Sequence, residues 1–184
     1  MQINKHTLDT ELLDGISHDN SKALRVLFER YYQAMCCFAL GYLKAADLAE
    51  EAVSDVFLNI WLKRKSIEIK TNIRAYLYTA VRNQSINYIR QRKLLHVSID
   101  SVEKENIISE LHADKLVADN ELKKNIDILL KQLPERRRII FIMSRIDGFS
   151  YKEISEILSI SVNTVQNQMV AAVKFLSKKS LNSL

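Results

Sequence analysis

Glycine and proline are scarce: three Gly and one Pro in 184 residues. A β-rich fold needs both at its turns, so sandwiches and barrels are excluded, and helical periodicity predicts an all-α chain. Cysteine is almost absent. Cys36 and Cys37 are adjacent, and sequence neighbours rarely bridge, so a disulfide scaffold is excluded and both read as small hydrophobes in a reducing cytoplasm. The four histidines, His6, His18, His96 and His112, are scattered with no metal-ligand spacing, so no metal and no cofactor is expected. The uncharged run Tyr31–Leu43 falls well short of the roughly 18–20 residues of a membrane span. The N-terminal MQINKHTLDTELLDG lacks the apolar core of a signal peptide, which predicts a cytoplasmic protein with no direct membrane insertion. There is no Gly-rich phosphate loop, no nucleophile with its base and no small-molecule site signature, so no enzyme is expected. No repeat or low-complexity segment is present.

What is present is 47% hydrophobic and 27% charged residues, the balance of a globular chain with one or two modest cores. Net charge is +5, which favours a polyanionic partner. The charge is unevenly placed. Residues 1–96 hold 14 Lys and Arg against 10 Asp and Glu, residues 97–121 hold 2 against 7, and residues 122–184 hold 11 against 5. Two basic blocks flank an acidic one. The expected organisation is a tail over 1–20, a domain over 21–96, an acidic linker over 97–121 and a second domain over 122–184.

The stretch FSYKEISEILSISVNTVQNQMVAAVKFLSKK, 149–179, carries the sharpest local pattern. Ser150 and Glu153 have capping-box spacing ahead of Ile154, Ile157 and Leu158, which share one helical face. Ser159-Ile160-Ser161 is a tight connection in which Ile160 plugs the angle and Ser161 caps the next helix. There Val165, Met169, Ala172 and Leu176 form one face, and Asn163, Gln166, Asn167, Val170 and Lys174 another. Two helices at such a turn, the second polar at its start, have the geometry that reads a major groove. On these residues alone, an ordinary helical hairpin is the alternative.

Upstream, Leu24, Leu27, Phe28, Tyr31, Met35, Phe38 and Tyr42 recur at steps of three and four and predict a long helix with an aromatic core stripe. A second helix over roughly 46–61 turns Leu48, Ala52, Val56, Ile60 and Trp61 inward. Its outer row is Glu51, Asp55 and Asn59 with Glu50 beside it, either solvated decoration or a docking surface. Then the sign changes. Lys63, Arg64, Lys65, Lys70, Arg74, Arg82, Arg90, Arg92 and Lys93 meet one acid, Glu68, with Tyr76, Tyr78 and Tyr88 interleaved. Cations track a phosphate backbone and aromatic faces stack on unpaired bases, though each tyrosine is open to a packing role instead. Lys63–Asn72 reads as a loop, and Ile73–Lys93 as one or two helices with Tyr76, Leu77, Val81, Ile86 and Ile89 as core. After the linker, Ile126, Leu129, Leu130 and Leu133 lead to Pro134, placed in the first turn of a helix over 135–146 whose start carries Arg136, Arg137 and Arg138.

Together these residues resemble a sigma factor of bacterial RNA polymerase, of the small extracytoplasmic-function group. LFERYYQAMCCFALGYL, AEEAVSDVFLNIW and NIRAYLYTAVRNQSINYIRQRK are similar to sigma region 2, and LLKQLPERRRIIFIMSRIDGFSYKEISEILSISVNTVQNQ to region 4. The chain has no room for the extra domains of housekeeping sigma factors. The resemblance implies that Glu50, Glu51, Ser54 and Asp55 dock on the clamp of the polymerase's largest subunit. It implies that the loop with Lys63, Arg64, Lys65, Lys70 and Asn72 captures a flipped base of the minus-ten element. Arg74, Tyr76, Arg82, Asn83, Asn87, Tyr88 and Arg90 would then hold the opened strand. Tyr151, Ser161, Asn163, Thr164, Gln166, Asn167 and Lys174 would contact the minus-thirty-five element. The implied partners are the polymerase core, through clamp and flap, promoter DNA and an anti-sigma factor.

The sequence departs from the family pattern in two places. Gln166, Gln168, Ala171 and Val173 stand where Lys or Arg is usual, so fewer phosphate contacts follow, each worth about 0.9 units of salt slope. Asn and Gln pair with adenine N6 and N7, which predicts adenines on one strand of the element. Ser54 replaces the usual Gln. The linker's 25 residues span about 25–30 Å as a relaxed coil and about 80–90 Å extended. Promoter elements one and a half to two turns apart are separated by roughly 50–70 Å, so the linker must be stretched along the polymerase. The rival reading is a one-component helix-turn-helix regulator that binds duplex DNA without polymerase; it leaves the basic, aromatic 63–93 segment unexplained.

Overall fold

The computed structural model describes residues 3–4, 6–69, 72–94 and 128–181, and among them there is no strand. Lys70 and the acidic segment 97–121 lie outside the described residues. The helices are α1 (Asp9–Ser17), α2 (Ser21–Leu43), α3 (Ala46–Leu62), α4 (Ile73–Leu94), α5 (Glu135–Arg145), α6 (Tyr151–Leu158) and α7 (Val162–Leu181). A helical stretch at 128–131 precedes α5. The all-α expectation holds. The chain divides into two compact units, Met1–Lys104 and Glu105–Leu184.

In the first unit α2 is the central element, packed against α1, α3 and α4. The Asn20 side chain starts it, accepting from the Lys22 and Ala23 amides. Lys44, in the left-handed conformation at φ 60°, ends it. Leu27, Met35, Phe38 and both cysteines are buried. The Phe38 ring meets Tyr78 edge-on at 4.8 Å and Phe28 meets Phe57 at 5.0 Å; of the expected core stripe Leu27, Met35 and Phe38 are buried, while Leu24, Phe28, Tyr31 and Tyr42 are half-buried at its margin. Each such large apolar side chain stabilises the unit by about 1.5–3 kcal/mol on burial.

The segment 1–20, read as a tail leading to a first short helix, contains α1. Leu12 and Ile16 are fully buried, and Gly15 lies so close to α2 that an added Cβ would stand 3.0 Å from the Ala23 Cβ. Arg30 pairs with Asp9 and donates to the Thr7 carbonyl at 2.7 Å, while the Tyr31 hydroxyl also donates to Asp9.

In α4, Ile73, Leu77, Val81 and Ser85 recur every four residues as the fully buried row, and the Ser85 hydroxyl donates to the Val81 carbonyl at 2.8 Å. Tyr78 is buried at 2% exposure, whereas Tyr76, Ile86 and Ile89, expected in the core, are only half-buried. The row at i+4 spacing sets the inward direction, and Tyr76 falls to its side. In α3 the inward residues are Ala49, Ala52, Val53, Val56, Phe57 and Ile60. Leu48 and Trp61 are half-buried at the margin.

The second unit places Leu130, Leu133 and Ala172 together with Phe141, Ile146, Phe175 and Leu176 around them. Pro134 sits one place earlier than expected, as the N-cap of α5, and its carbonyl accepts from the Arg137 and Arg138 amides at 2.9 Å. Gly148 takes φ +71° in the turn before α6, a conformation that glycine adopts without a Cβ clash.

Candidate nucleic-acid interface

The α6–α7 pair is built by its caps. The Ser150 amide donates to Glu153 at 2.8 Å and the Glu153 amide donates to the Ser150 hydroxyl at 3.2 Å, closing the capping box. Ser159 turns the chain at φ 51°. Ser161 then caps α7: the Thr164 amide donates to its hydroxyl at 3.0 Å, and the two hydroxyls meet at 2.8 Å. Both side chains are therefore engaged at the helix start. Val165, Met169 and Ala172 are buried as expected, and Leu176 is half-buried. Asn163, Gln166, Asn167 and Lys174 are exposed on the opposite side. Val162, Val170 and Val173 stand among them, 44%, 50% and 43% exposed. From Val162 to Val173 the face offers amides and methyl groups but no charge. Of the two polar residues flanking this face, Tyr151 is half-buried, and Gln168 accepts from Arg137 at 3.4 Å.

In the first unit the basic segment is partly tied down. Lys63 is exposed at the C-cap of α3. The Arg64 guanidinium lies 4.4 Å from the Trp61 ring centroid, donates to the Trp61 carbonyl at 2.7 Å and pairs with Asp19. Lys65 reaches the other Asp19 oxygen at 3.2 Å. These bonds hold the Asp19 carboxyl below its ordinary value. Asn72 caps α4, its side-chain oxygen accepting from the Ala75 amide at 2.7 Å. The loop reading of this segment agrees with the turn and coil over 63–69.

Along α4, Tyr76, Asn83, Asn87 and Arg90 fall at i, i+7, i+11 and i+14 and share one face, three of them exposed and Tyr76 half-buried. Burial pushes the Tyr76 hydroxyl up. Arg82 is half-buried and donates to the Asn83 side chain at 3.2 Å, and Arg74 is half-buried. Tyr88 does not join that face. Its hydroxyl donates to Asp55 Oδ2 of α3 at 2.8 Å, beside Gln84 Nε2 at 2.9 Å. Burial and the Asp55 carboxylate push that hydroxyl well up.

On α3, Glu50, Glu51 and Ser54 are exposed and Asp55 is half-buried. The Ser54 hydroxyl donates back to the Glu50 carbonyl at 2.8 Å. The row continues into Leu58 and Leu62, 54% and 65% exposed, which the sequence reading missed. The signal was their place, four and eight residues beyond Ser54. No helix among the described residues is long and apolar enough to cross a membrane.

Residues 27–94 match the family described as Sigma-70 region 2, and residues 123–176 match Sigma-70, region 4, together more than half of the chain. The chain is 24% identical over 179 residues to the ECF RNA polymerase sigma-E factor of Escherichia coli, covering 93% of both chains. It is 29% identical over 160 residues to the ECF RNA polymerase sigma factor SigW of Bacillus subtilis, covering 82% of this chain and 83% of that one. Among solved structures it is similar to the sigma factor RpoE of Bartonella quintana, solved in complex with the anti-sigma factor NepR. There the TM-score is 0.62 at 23% identity, over 85% of this chain and 96% of that one. It is also similar to CnrH, solved in complex with the cytosolic domain of CnrY, with TM-score 0.59 at 20% identity over 95% and 97%.

Proposed function

The chain belongs to the extracytoplasmic-function sigma factors, whose role is promoter-specific transcription with RNA polymerase, and from that premise we propose how its surfaces divide the work. The exposed row Glu50, Glu51 and Ser54, with Leu58 and Leu62 extending it, docks on the polymerase clamp. An acidic start and an apolar continuation give such a surface both orientation and buried area. Lys63, Arg64, Lys65 and Lys70 form the loop side of the minus-ten site. The α4 face of Tyr76, Asn83, Asn87 and Arg90 holds the opened strand, with Arg74 and Arg82 beside it. A base leaving the stack costs a few kcal/mol, offset here by the loop and by cationic contacts, with no covalent step. The protein works in the cytoplasm, and an anti-sigma factor restrains it.

The observation that carries this reading is the exposed amide face at the start of a well-capped α7. Asn163, Gln166 and Asn167 suit adenine N6 and N7 in the major groove. Run-off transcription with core polymerase over a promoter library tests the proposal. Transcripts are expected only with both proteins present, from promoters with adenines on one strand of the upstream element. Gln166→Ala or Asn167→Ala should relax preference at one base pair, by about 1–3 kcal/mol of discrimination. Unchanged promoter preference in both variants refutes the amide assignment. A gel shift without polymerase that already shows tight, specific binding favours a one-component regulator.

A further inference from the structure

Asp55 stands one turn along α3 from Glu51, and although the Glu51 carboxylate also acts on the Tyr88 hydroxyl more weakly, Asp55 ties two α4 side chains at once. Its Oδ2 accepts from two donors on α4, Gln84 Nε2 at 2.9 Å and Tyr88 OH at 2.8 Å. The two donors are four residues apart and so lie on one side of α4. One acceptor atom between them ties α4 to α3 beside the buried row, and so pins the slide and rotation that the row's packing sets. Glu50, Glu51 and Ser54 are exposed, whereas Asp55 and Tyr88 are half-buried. Burial, the Asp55 carboxylate and, more weakly, that of Glu51 keep the Tyr88 hydroxyl protonated, hence a donor, throughout the physiological range. The Tyr76, Asn83, Asn87 and Arg90 face of the same helix points elsewhere, and where it points depends on the rotation of α4.

We propose that Asp55 is a positioning residue for the strand-binding face of α4, acting through Tyr88 and Gln84, and is not a docking contact for the polymerase. This rests on the reading of α4 given above. The two roles demand different chemistry from one side chain. Positioning needs an acceptor oxygen at that point, while docking by an acidic residue needs the charge.

Substitutions separate them. The full chain, as wild type, D55N, D55A, Y88F and E51Q, is assembled with core polymerase, and two affinities are read. One is for the core; the other is that of the assembled holoenzyme for a fork-junction promoter whose minus-ten segment is already single-stranded. D55N removes the charge and keeps the acceptor, so it should retain fork-junction affinity. Y88F should lower that affinity about tenfold, the size of one lost hydrogen bond, and D55A, which removes the acceptor of both donors, at least as much, while core affinity holds. The double variant D55A/Y88F should be no worse than D55A, because both break the same contact. E51Q marks charge-dependent docking by its weaker core binding. The proposal is overturned if D55N loses core affinity as E51Q does, or if D55A and Y88F bind the fork junction like wild type. Should D55A fail to fold, Y88F against D55N carries the same contrast. A wild-type chain that neither joins core nor starts RNA synthesis instead defeats the underlying reading.

Discussion

Asp19 stands between α1 and α2 at φ 63° and holds Arg64 and Lys65, two of the loop cations expected to meet DNA. It is largely open to solvent, so its value lies in placing the loop more than in stability. The carboxyl is held below its ordinary value of 3.8 by the hydrogen bonds from Arg64 and then Lys65. A depressed folded-state value means the contact is fully present above 3.8 and is lost as pH falls through the lower, folded value. Carbon NMR of Asp19 should therefore titrate below 3.8, and Asp19→Asn should speed amide exchange over 63–66 at neutral pH. An unchanged exchange rate would leave Arg64 held by Trp61 alone. Contacts of this sort were not legible in the sequence. Asp19 and Arg64 are 45 residues apart, and Asp55 and Tyr88 are 33 apart. Each bond depends on how helices cross, which periodicity does not encode. Tyr76 was expected in the core, and Tyr78 was left open, for a related reason. Two residues apart on a helix they straddle the buried row, and only the direction of Leu77 and Val81 decides which goes in.

Elements were far more legible than contacts, where their ends are written locally. The α6–α7 turn could be read because Ser150, Glu153 and Ser161 cap through neighbours three residues away. The first helix could not be bounded within the N-terminal segment because only Leu12 and Ile16 bury fully in it, and two points give no period. Its remaining hold on α2 comes from Asp9, Arg30 and Tyr31, which are distant in sequence. Capping also bears on the function assigned to Ser161. The resemblance places it at the DNA, yet its hydroxyl is engaged with Thr164. Ser161→Ala should cost about 1 kcal/mol of stability, while Ser161→Asp, an equally good cap, should cost little. Urea denaturation reads the difference. If alanine leaves the midpoint unchanged, the hydroxyl is free for another partner, and its role moves from the helix to the groove.

The whole molecule adds what neither unit has alone, an alternation of charge along the chain. Residues 1–96 carry net +4, residues 97–121 net −5 and residues 122–184 net +6. At about 0.01 M salt the screening length is about 30 Å, comparable to the relaxed span of the tethered anionic segment, so its charge lowers the potential over the parts of both cationic blocks within that distance. At about 0.15 M the length is about 8 Å and only close approach counts. The α7 face compounds this, because its uncharged start forgoes the phosphate contacts that would make the free chain bind duplex DNA strongly. The free chain should therefore be a poor DNA binder by composition, in keeping with the proposal that it reads promoters together with the polymerase. Replacing the seven acids of 97–121 by Asn and Gln should strengthen binding of the free chain to non-specific duplex at low salt, and the gain should fade as salt rises. Fluorescence anisotropy across a salt series measures both. A gain that persists at high salt would mean that the segment blocks DNA by contact; no gain at any salt would mean that its charge serves only inside the assembled polymerase, where the path between the two promoter elements must be bridged.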